Sequence, residues 1–337
     1  MTMNKMMAAA NYYKGKKIII LGGAGSIGSE LVHKLTLCAP AVVRVFDSDE
    51  TGLFDLERRS HTELIRPLVG DIRDLKRLKR AFEDVDVVFH AAALKHVPLC
   101  EYNPFEAVQT NVLGTQNVID AALDEEVEKV VFISTDKAVN PNTVLGATKL
   151  LAERLITSAN YYKGLRETAF SSVRFGNVLA TRGSVVPVFL DQIASGGPVT
   201  VTDLEMTRFV MSVPNAVELI LKAGEDATGG EIFILKMQSL RIIDLAEAMI
   251  EQFASQYGYN ADEIEVTYVG KRYKEKLHED LFTSDEAESI VDKGEFFVLD
   301  PTNGMPEKRS STQCYTSLQA DRLSKANIKE LFEEKMK

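Results

Sequence analysis

The chain has 337 residues, 45% hydrophobic and 26% charged, which suits a soluble α/β domain with a smaller appended lobe. Its 39 lysines and arginines stand against 49 aspartates and glutamates, and the net charge of −10 gives no support for a nucleic-acid or anionic-membrane partner, although local arginines can still hold an anionic small ligand. Cys38, Cys100 and Cys314 are widely spaced and suggest reduced thiols rather than a disulfide framework or a zinc site. The opening MTMNKMMAAANYYKGKK lacks a signal-peptide core, and no run approaches the ~20 apolar residues of a membrane span, so a cytoplasmic protein without membrane contact is expected.

In chain order, KIIILGG (17–23), AVVRVFD (41–47), DVVFHAA (86–92), VEKVVFIST (127–135) and FSSVRFGNV (170–178) are short β-branched apolar runs of the kind that form buried parallel strands. Helix-length amphipathic segments, such as 104–124 and 146–160, lie between them. The alternation predicts βαβ units and an α/β fold, a doubly wound parallel sheet wrapped on both faces. Beyond about residue 180 the pattern is less regular. GSVVPVFLDQIASG (183–196) reads as a loop entering a helix, and SLRIIDLAEAMIEQFASQYG (239–258) as one amphipathic helix closed by Gly258. From 283 onward the chain is polar and acidic with few apolar anchors. Residues 300–312 read as a loop and KANIKELFEEKMK (325–337) as a short surface helix.

LGGAGSIGSEL (21–31) spaces Gly22, Gly25 and Gly28 as G-x-x-G-x-x-G between a strand and a helix. Small residues there let the backbone turn tightly and approach a pyrophosphate at the helix N-terminus, where Ser26 and Ile27 also lie. Tight strand-to-helix turns need glycine in any case. Asp47, 19 residues after Gly28 at the end of the next strand, matches the acid that hydrogen-bonds a ribose 2′-hydroxyl. Its charge favours NAD; Arg58 and Arg59 leave NADP as the alternative. GDIRD (70–74) places Asp71 and Ile72 past the third core strand, where Asp71 either reaches the adenine or caps a turn. The alanines of HAAALK (90–95), Ala91 and Ala92 among them, either leave room for the cofactor or pack tightly. These signals divide the chain into a dinucleotide-binding domain (14–180), to which later segments return, a smaller substrate lobe (181–282) and an extension of unassigned role (283–337).

STDKAVNPNTVLGATK (134–149) follows a strand at its carboxyl end, the ligand edge of a doubly wound sheet. In the short-chain reductase pattern a tyrosine base stands four residues before the lysine, on the same helical face, with its pKa lowered by the ammonium. Four residues before Lys149 stands Leu145, which exchanges no proton. Tyr12-x-x-x-Lys16 and Tyr13-x-x-x-Lys17 precede the first strand, and their spacing is chance. Asp136 and Lys137, beside Thr135, are the substitute proton-transfer groups, although an ordinary charged turn has the same composition. No His, Cys and carboxylate cluster has metal spacing, so no metal is expected.

STDKAVNPNTVLGATKL, with GGAGSIGSEL (22–31), HAAALKHVPLCE (90–101), NVLGTQNV (111–118), RFGNVLATRGSVVPVF (174–189), TVTDLEMTRFVM (200–211) and KRYKEKLHE (271–279), resembles the UDP-N-acetylglucosamine 4,6-dehydratases. These are extended short-chain dehydrogenase/reductases of the polysaccharide-biosynthesis group. The resemblance implies a Rossmann fold with a nucleotide-sugar lobe, a homo-oligomer, and NAD(P) that stays bound and is recycled. It implies a lyase reaction: oxidation at C4, loss of the C5 proton and the C6 hydroxyl as water, and hydride return to C6. Many soluble members have tyrosine where this chain has Leu145, while a membrane-anchored branch has methionine. By resemblance to that branch, Asp136 is the base at the C4 hydroxyl and the acid at C6, and Lys137 handles the C5 proton. Thr135 orients the C4 hydroxyl and Lys149 holds the nicotinamide ribose. Arg208 and Arg272 are candidates for the diphosphate, whose planar guanidinium pairing suits phosphate oxygens. Glu275 is a candidate for the uridine ribose. RYKE (272–275) departs from the usual RPGE. Asn177 and Lys95 are candidates for the sugar, and His96 reads as structural. Val186, with Pro187 and Phe189, forms either an apolar wall beside uracil or core packing. The competing functions are a 4-epimerase, which needs no C5 base, and a non-catalytic NAD-binding regulator.

Overall fold

The structure is a computed structural model that describes residues 11–179, 181, 184–272, 274–300 and 314–336. The first half alternates as the apolar runs predict. The elements are β1 (Lys17–Leu21), α1 (Ser26–Thr36), β2 (Val42–Asp47), α2 (Glu50–Ser60), β3 (Ile65–Val69), α3 (Leu75–Phe82), β4 (Val87–His90), α4 (Gly114–Asp124), β5 (Lys129–Ile133), α5 (Val144–Tyr162) and β6 (Ala169–Arg174). The second half contains β7 (Asn177–Val178), α6 (Val185–Ala194), β8 (Val199–Val201), β9 (Thr207–Met211), α7 (Val213–Asp226), β10 (Ile232–Leu235), β11 (Gln238–Arg241) and α8 (Ile242–Phe253). It continues through β12 (Val266–Tyr268), β13 (Asp280–Phe282), β14 (Ile290–Asp292), β15 (Phe296–Leu299), β16 (Tyr315–Thr316) and α9 (Lys325–Met336).

A nine-stranded sheet has the order β14-β15-β10-β6-β5-β4-β1-β2-β3. From β3 to β10 every neighbouring pair is parallel; β15 pairs antiparallel with β10 and with β14. Successive side chains of a strand face opposite ways. Ile18 and Ile20 therefore enter one core with Leu31 and Leu35 of α1 and Ile220 of α7, while Ile19 and Leu21 enter the other with Phe82, Val118 and Ile156. Burial on both faces explains why β1, β4 and β5 read as continuous apolar runs rather than alternating ones. This is a doubly wound, Rossmann-type arrangement. A third core, built from α6, α8 and α9 over β8 and β9, belongs to the smaller lobe.

Several local expectations need correction. The strand before GDIRD is IRPLV (β3), which is absent from the apolar runs because it is the sheet edge: Arg66 and Val69 are exposed and Pro67 is tolerated there. The segment 239–258 is not one helix. Its first residues pair with β9 as β11, the helix starts at Ile242, and Gly258 at φ +85° follows its last turn as expected. The chain after 283 is better anchored than its polarity suggests, because β14 and β15 complete the large sheet and bury Ile290, Phe296, Phe297 and Leu299. The last helix is not only superficial: Ile328 is buried, and Phe332 packs edge-on against Phe253 with ring centroids 5.8 Å apart. The loop expected over 300–312 lies, apart from Asp300, outside the described residues.

One buried ion network locks β6 to its surroundings. The Arg174 guanidinium, 1% exposed, donates to Glu153 of α5 at 2.7 Å, to Glu286 at 2.9 Å and to the Leu281 carbonyl at 3.0 Å. Glu153 also accepts from Ser134 at 2.6 Å, so the serine of the STDK stretch is structural. Arg174→Ala leaves the buried Glu153 and the partly buried Glu286 without their cation and is expected to cost about 3–5 kcal/mol in a urea unfolding curve. A loss below about 1 kcal/mol would mean that the network contributes little to stability.

Candidate active site

The carboxyl ends of β1, β2, β4 and β5 open into one cleft of about 960 Å³, whose opposite wall comes from the smaller lobe. At the glycine turn, Gly22 has φ +77°, and a Cβ there would stand 2.6 Å from the Ala92 nitrogen. A Cβ on Gly28 would stand 2.2 Å from the Gly22 carbonyl oxygen. Packing alone therefore demands both residues. Gly25 is different: a Cβ there would meet only the Gly22 carbonyl, at 3.2 Å, and otherwise would project into open space. Gly25 caps α1 without a side-chain hydrogen bond and lines the cleft with Ser26, Ile27 and Gly28. This bare helix start is suited to a pyrophosphate, and the residues present fit a dinucleotide.

Asp47 ends β2 and also lines the cleft. Its carboxylate accepts from the Ala24 nitrogen at 2.9 Å and from the Asp49 nitrogen at 3.0 Å, so it braces the glycine turn at the cleft edge. Asp71 pairs with Arg73 at 2.6 Å, and that contact holds its carboxyl below the usual range. Ile72, Ala91 and Ala92 border the same region. Arg58 and Arg59 do not reach it; both face Asp55 on α2, at 3.7 and 3.9 Å.

The STDK stretch forms a 3-10 turn, Asp136–Ala138, capped by the Thr135 hydroxyl. Thr135 and Lys137 line the cleft, whereas Asp136 is fully buried one layer behind them. Asp136 Oδ1 accepts from the Thr135 hydroxyl and from Lys137 Nζ, each at 2.9 Å. Its Oδ2 is buried with no hydrogen-bond partner among the described residues. A proton from a ligand in the cleft therefore reaches Asp136 through one of two groups, a hydroxyl or an ammonium. Burial works against the Lys137 charge, but Asp136 and Glu279 outweigh it and raise the lysine above its ordinary pKa.

Leu145 fills the tyrosine position. It is 4% exposed, packs with Cys100 and Ala107, and brings no polar atom to the cleft. Lys149 follows one turn later, and its ammonium donates to the Ile133 carbonyl at 2.5 Å. Burial pushes Lys149 down to about pKa 7, with Glu153 opposing. Tyr12 and Tyr13 are remote, bonded to Glu128 and to the Leu221 carbonyl.

In the smaller lobe, Asn177 lines the cleft with its Oδ1 buried and without a hydrogen-bond partner among the described residues. Arg272 and Glu275 close a turn on each other, the Arg272 nitrogen donating to Glu275 at 3.1 Å. Lys274, which stands at the glycine position of the RPGE pattern, adopts φ +62°, so this loop has a left-handed position without the residue that adopts it most readily. Arg208 lines the cleft, yet its guanidinium donates to the carbonyls of Thr207, Lys276 and Leu277. Lys95 lines the cleft, and His96, which read as structural, stands exposed on the same rim. Val186 needs correction as a wall residue. It is 3% exposed and faces the third core, because α6 turns Val185 and Val188 toward the cleft instead; Phe189 touches both. The residue that the sequence did not single out is Glu279, the last of KRYKEKLHE, which lines the cleft with its side chain 5% exposed. In sequence it looks like one more charge in a charged run.

The family model for polysaccharide biosynthesis proteins matches residues 18–301. An uncharacterised membrane protein of Methanocaldococcus jannaschii is 56% identical over 96% of this chain and 97% of its own length; among the described residues no helix is long and apolar enough to cross a membrane. A UDP-N-acetylglucosamine 4,6-dehydratase (inverting) of Campylobacter jejuni is 39% identical over 88% of this chain and 86% of its own. A UDP-glucose 4-epimerase of Rickettsia canadensis is 36% identical over 94% and 95%. Among solved structures, Pen of Bacillus thuringiensis superposes with a TM-score of 0.89 at 45% identity, covering 96% of this chain and 98% of that one. A dTDP-glucose 4,6-dehydratase of Streptomyces venezuelae, solved with NAD bound, gives 0.69 at 25%, covering 77% and 86%. With this match and these cleft residues, the chain belongs to the polysaccharide-biosynthesis family of extended short-chain dehydrogenase/reductases.

Proposed function

We propose that the protein is an NAD-dependent nucleotide-sugar 4,6-dehydratase acting on UDP-N-acetylglucosamine, with the product a 4-keto-6-deoxy sugar. The observation that carries this reading is the Thr135–Asp136–Lys137 unit. It supplies two coupled proton-transfer groups beside a cleft whose tyrosine position holds Leu145. The glycine turn, Asp47 and Lys149 would hold the dinucleotide. The acidic end of β2, with Arg58 and Arg59 turned to Asp55, favours NAD over NADP. Bound NAD supplies a hydride acceptor that later returns the same hydride, so no external oxidant is consumed.

The protein groups then divide the protons. The Thr135 hydroxyl accepts the C4 hydroxyl proton as it passes its own proton to Asp136 Oδ1. Asp136 becomes neutral, and Lys137 loses one of the two anions that hold it protonated. Its basicity falls, so it releases its ammonium proton to solvent and, as a free amine, takes the C5 proton, which exchanges with solvent and is returned to C5 as C6 is reduced. The proton stored on Asp136 returns by the same route to the departing C6 hydroxyl, which leaves as water. The 4-epimerase reading has support from relatives of that name, but it leaves Lys137 without a proton to move.

Incubation of the purified protein with NAD and UDP-N-acetylglucosamine in deuterated water is expected to yield a product lighter by one water with deuterium at C5. Unchanged mass and an unlabelled C5 would point to epimerisation. Asp136→Asn is expected to lower kcat by roughly 10²–10⁴-fold with little change in KM; full activity in that variant would refute the proton route. Lys149→Met should abolish turnover yet raise stability in acid. The Lys149 pKa is lowered on folding, so its burial is least favourable below about pH 7 and the deficit is relieved as pH rises toward the unfolded lysine value. The stability gap between variant and wild type should therefore narrow by about 2–3 kcal/mol from pH 6 to pH 9 in urea titrations. A gap that is constant with pH would contradict the buried charge.

A further inference from the structure

Glu279 has no assigned part in the proton route just described. It precedes β13 and is braced from behind, its backbone nitrogen donating to the Ser317 hydroxyl at 2.9 Å. Its side chain is nearly buried, yet it borders the cleft. Three cations surround the carboxylate at ion-pair rather than close hydrogen-bond distance. Lys137 Nζ and Arg208 Nε each lie 4.0 Å from Oε1, and Lys276 Nζ lies 3.7 Å from Oε2. Oε2 accepts no hydrogen bond among the described residues. Lys276 is anchored elsewhere, donating to the Val139 carbonyl at 2.7 Å, and three of the five Arg208 N–H groups donate to carbonyls. The neighbouring His278 turns away to Thr207. Lys137 is thus the one of the three cations that belongs to the catalytic turn, and it lies between two carboxylates: Asp136 at 2.9 Å and Glu279 at 4.0 Å.

We propose that Glu279 is a positioning residue of the reaction, the counter-ion that holds Lys137 over the sugar once Asp136 has taken up a proton. This rests on the dehydratase reading only for its last clause; the pairing itself does not. While Asp136 is charged, it grips Lys137 at close range. When Asp136 is neutral, the groups facing Lys137 are Arg208, which repels it, and Glu279, which attracts it. Without Glu279, while Asp136 is neutral, the ammonium that forms when Lys137 takes the C5 proton would face Arg208 with no anion beside it. Burial and the nearby Asp136 push the Glu279 carboxyl up from its ordinary range, while Lys137, Arg208 and Lys276 oppose that shift. The charge state of this residue is therefore set by the same cluster it serves.

The test reads Lys137 directly. Full-length wild type, Glu279→Gln and Glu279→Asp are labelled with trace acetic anhydride across pH, and acetylation of the Lys137 peptide is quantified by mass spectrometry. Removal of the charge should move the half-labelling pH of Lys137 down by one unit or more, making the amine about tenfold more reactive at a given pH. Glu279→Asp keeps the charge one methylene further off and should give an intermediate midpoint; it serves alone if the Gln variant does not fold. An unmoved midpoint in either folded variant overturns the pairing. With UDP-N-acetylglucosamine as substrate, the rising limb of C5 deuterium incorporation should shift in the same direction in Glu279→Gln. A pH-independent fall in rate with an unmoved limb would assign Glu279 a structural role only. If the wild type removes no water from this substrate, the dehydratase reading fails, while the labelling result still decides the pairing.

Discussion

A carboxylate that water cannot reach stays charged only when other groups replace its hydration, and Asp136 is in that position. The two groups that replace it are its sequence neighbours, Thr135 and Lys137. This pairing shapes the surrounding backbone. The chain turns as a 3-10 segment so that both neighbours reach the same oxygen, and the Asp136 nitrogen ties the turn to the Phe175 carbonyl. Gly176 lies against the other oxygen, where a Cβ would stand 3.0 Å away. The ends of β5 and β6 are thus drawn together around one charge. The same contacts that satisfy the carboxylate place a hydroxyl and an ammonium on the cleft surface.

Charge pairing of this kind recurs where the two lobes meet. Lys276 reaches across to the Val139 carbonyl, Lys274 pairs with Glu101 at 3.7 Å, and Glu279 faces Lys137. The Arg174 network binds the sheet to the segment that returns after 280. Apolar burial builds three cores, the first of which also takes in Phe209 and Met211 of β9, while charged groups stand among the apolar lining of the cleft. Such an arrangement suits a ligand with a diphosphate at its centre, since anions entering the cleft meet cations already fixed to backbone carbonyls.

Much of this was open to inspection before folding. The strands β1, β2, β4, β5 and β6 were legible because burial on both faces demands unbroken β-branched runs. The glycine turn was legible because Gly22 and Gly28 stand where any side chain would collide. The edge strand β3 was not, since one exposed side relaxes its composition and admits Pro67. The strands β14 and β15 escaped notice for a related reason: they join the sheet by antiparallel pairing from a segment rich in charge, and their few apolar residues carry the whole contact. Val186 and Val185 are adjacent and chemically identical, and only the rotation of α6 decides which faces the cleft.

By itself the sequence determined the βαβ order, the dinucleotide-type turn, the absence of a phenol at position 145 and the cluster Thr135–Asp136–Lys137, because each of these is written in residues close together along the chain. The tertiary structure alone decided that Asp136 stands behind its neighbours rather than in the cleft, that Arg208 donates to carbonyls, and that Glu279 becomes the second anion at Lys137. Those facts depend on segments far apart along the chain, around Phe175, Arg208 and Glu279, meeting the Asp136 turn. Burial, which turns an ordinary charge into a functional one, is a property of the packed molecule and not of any stretch of chain.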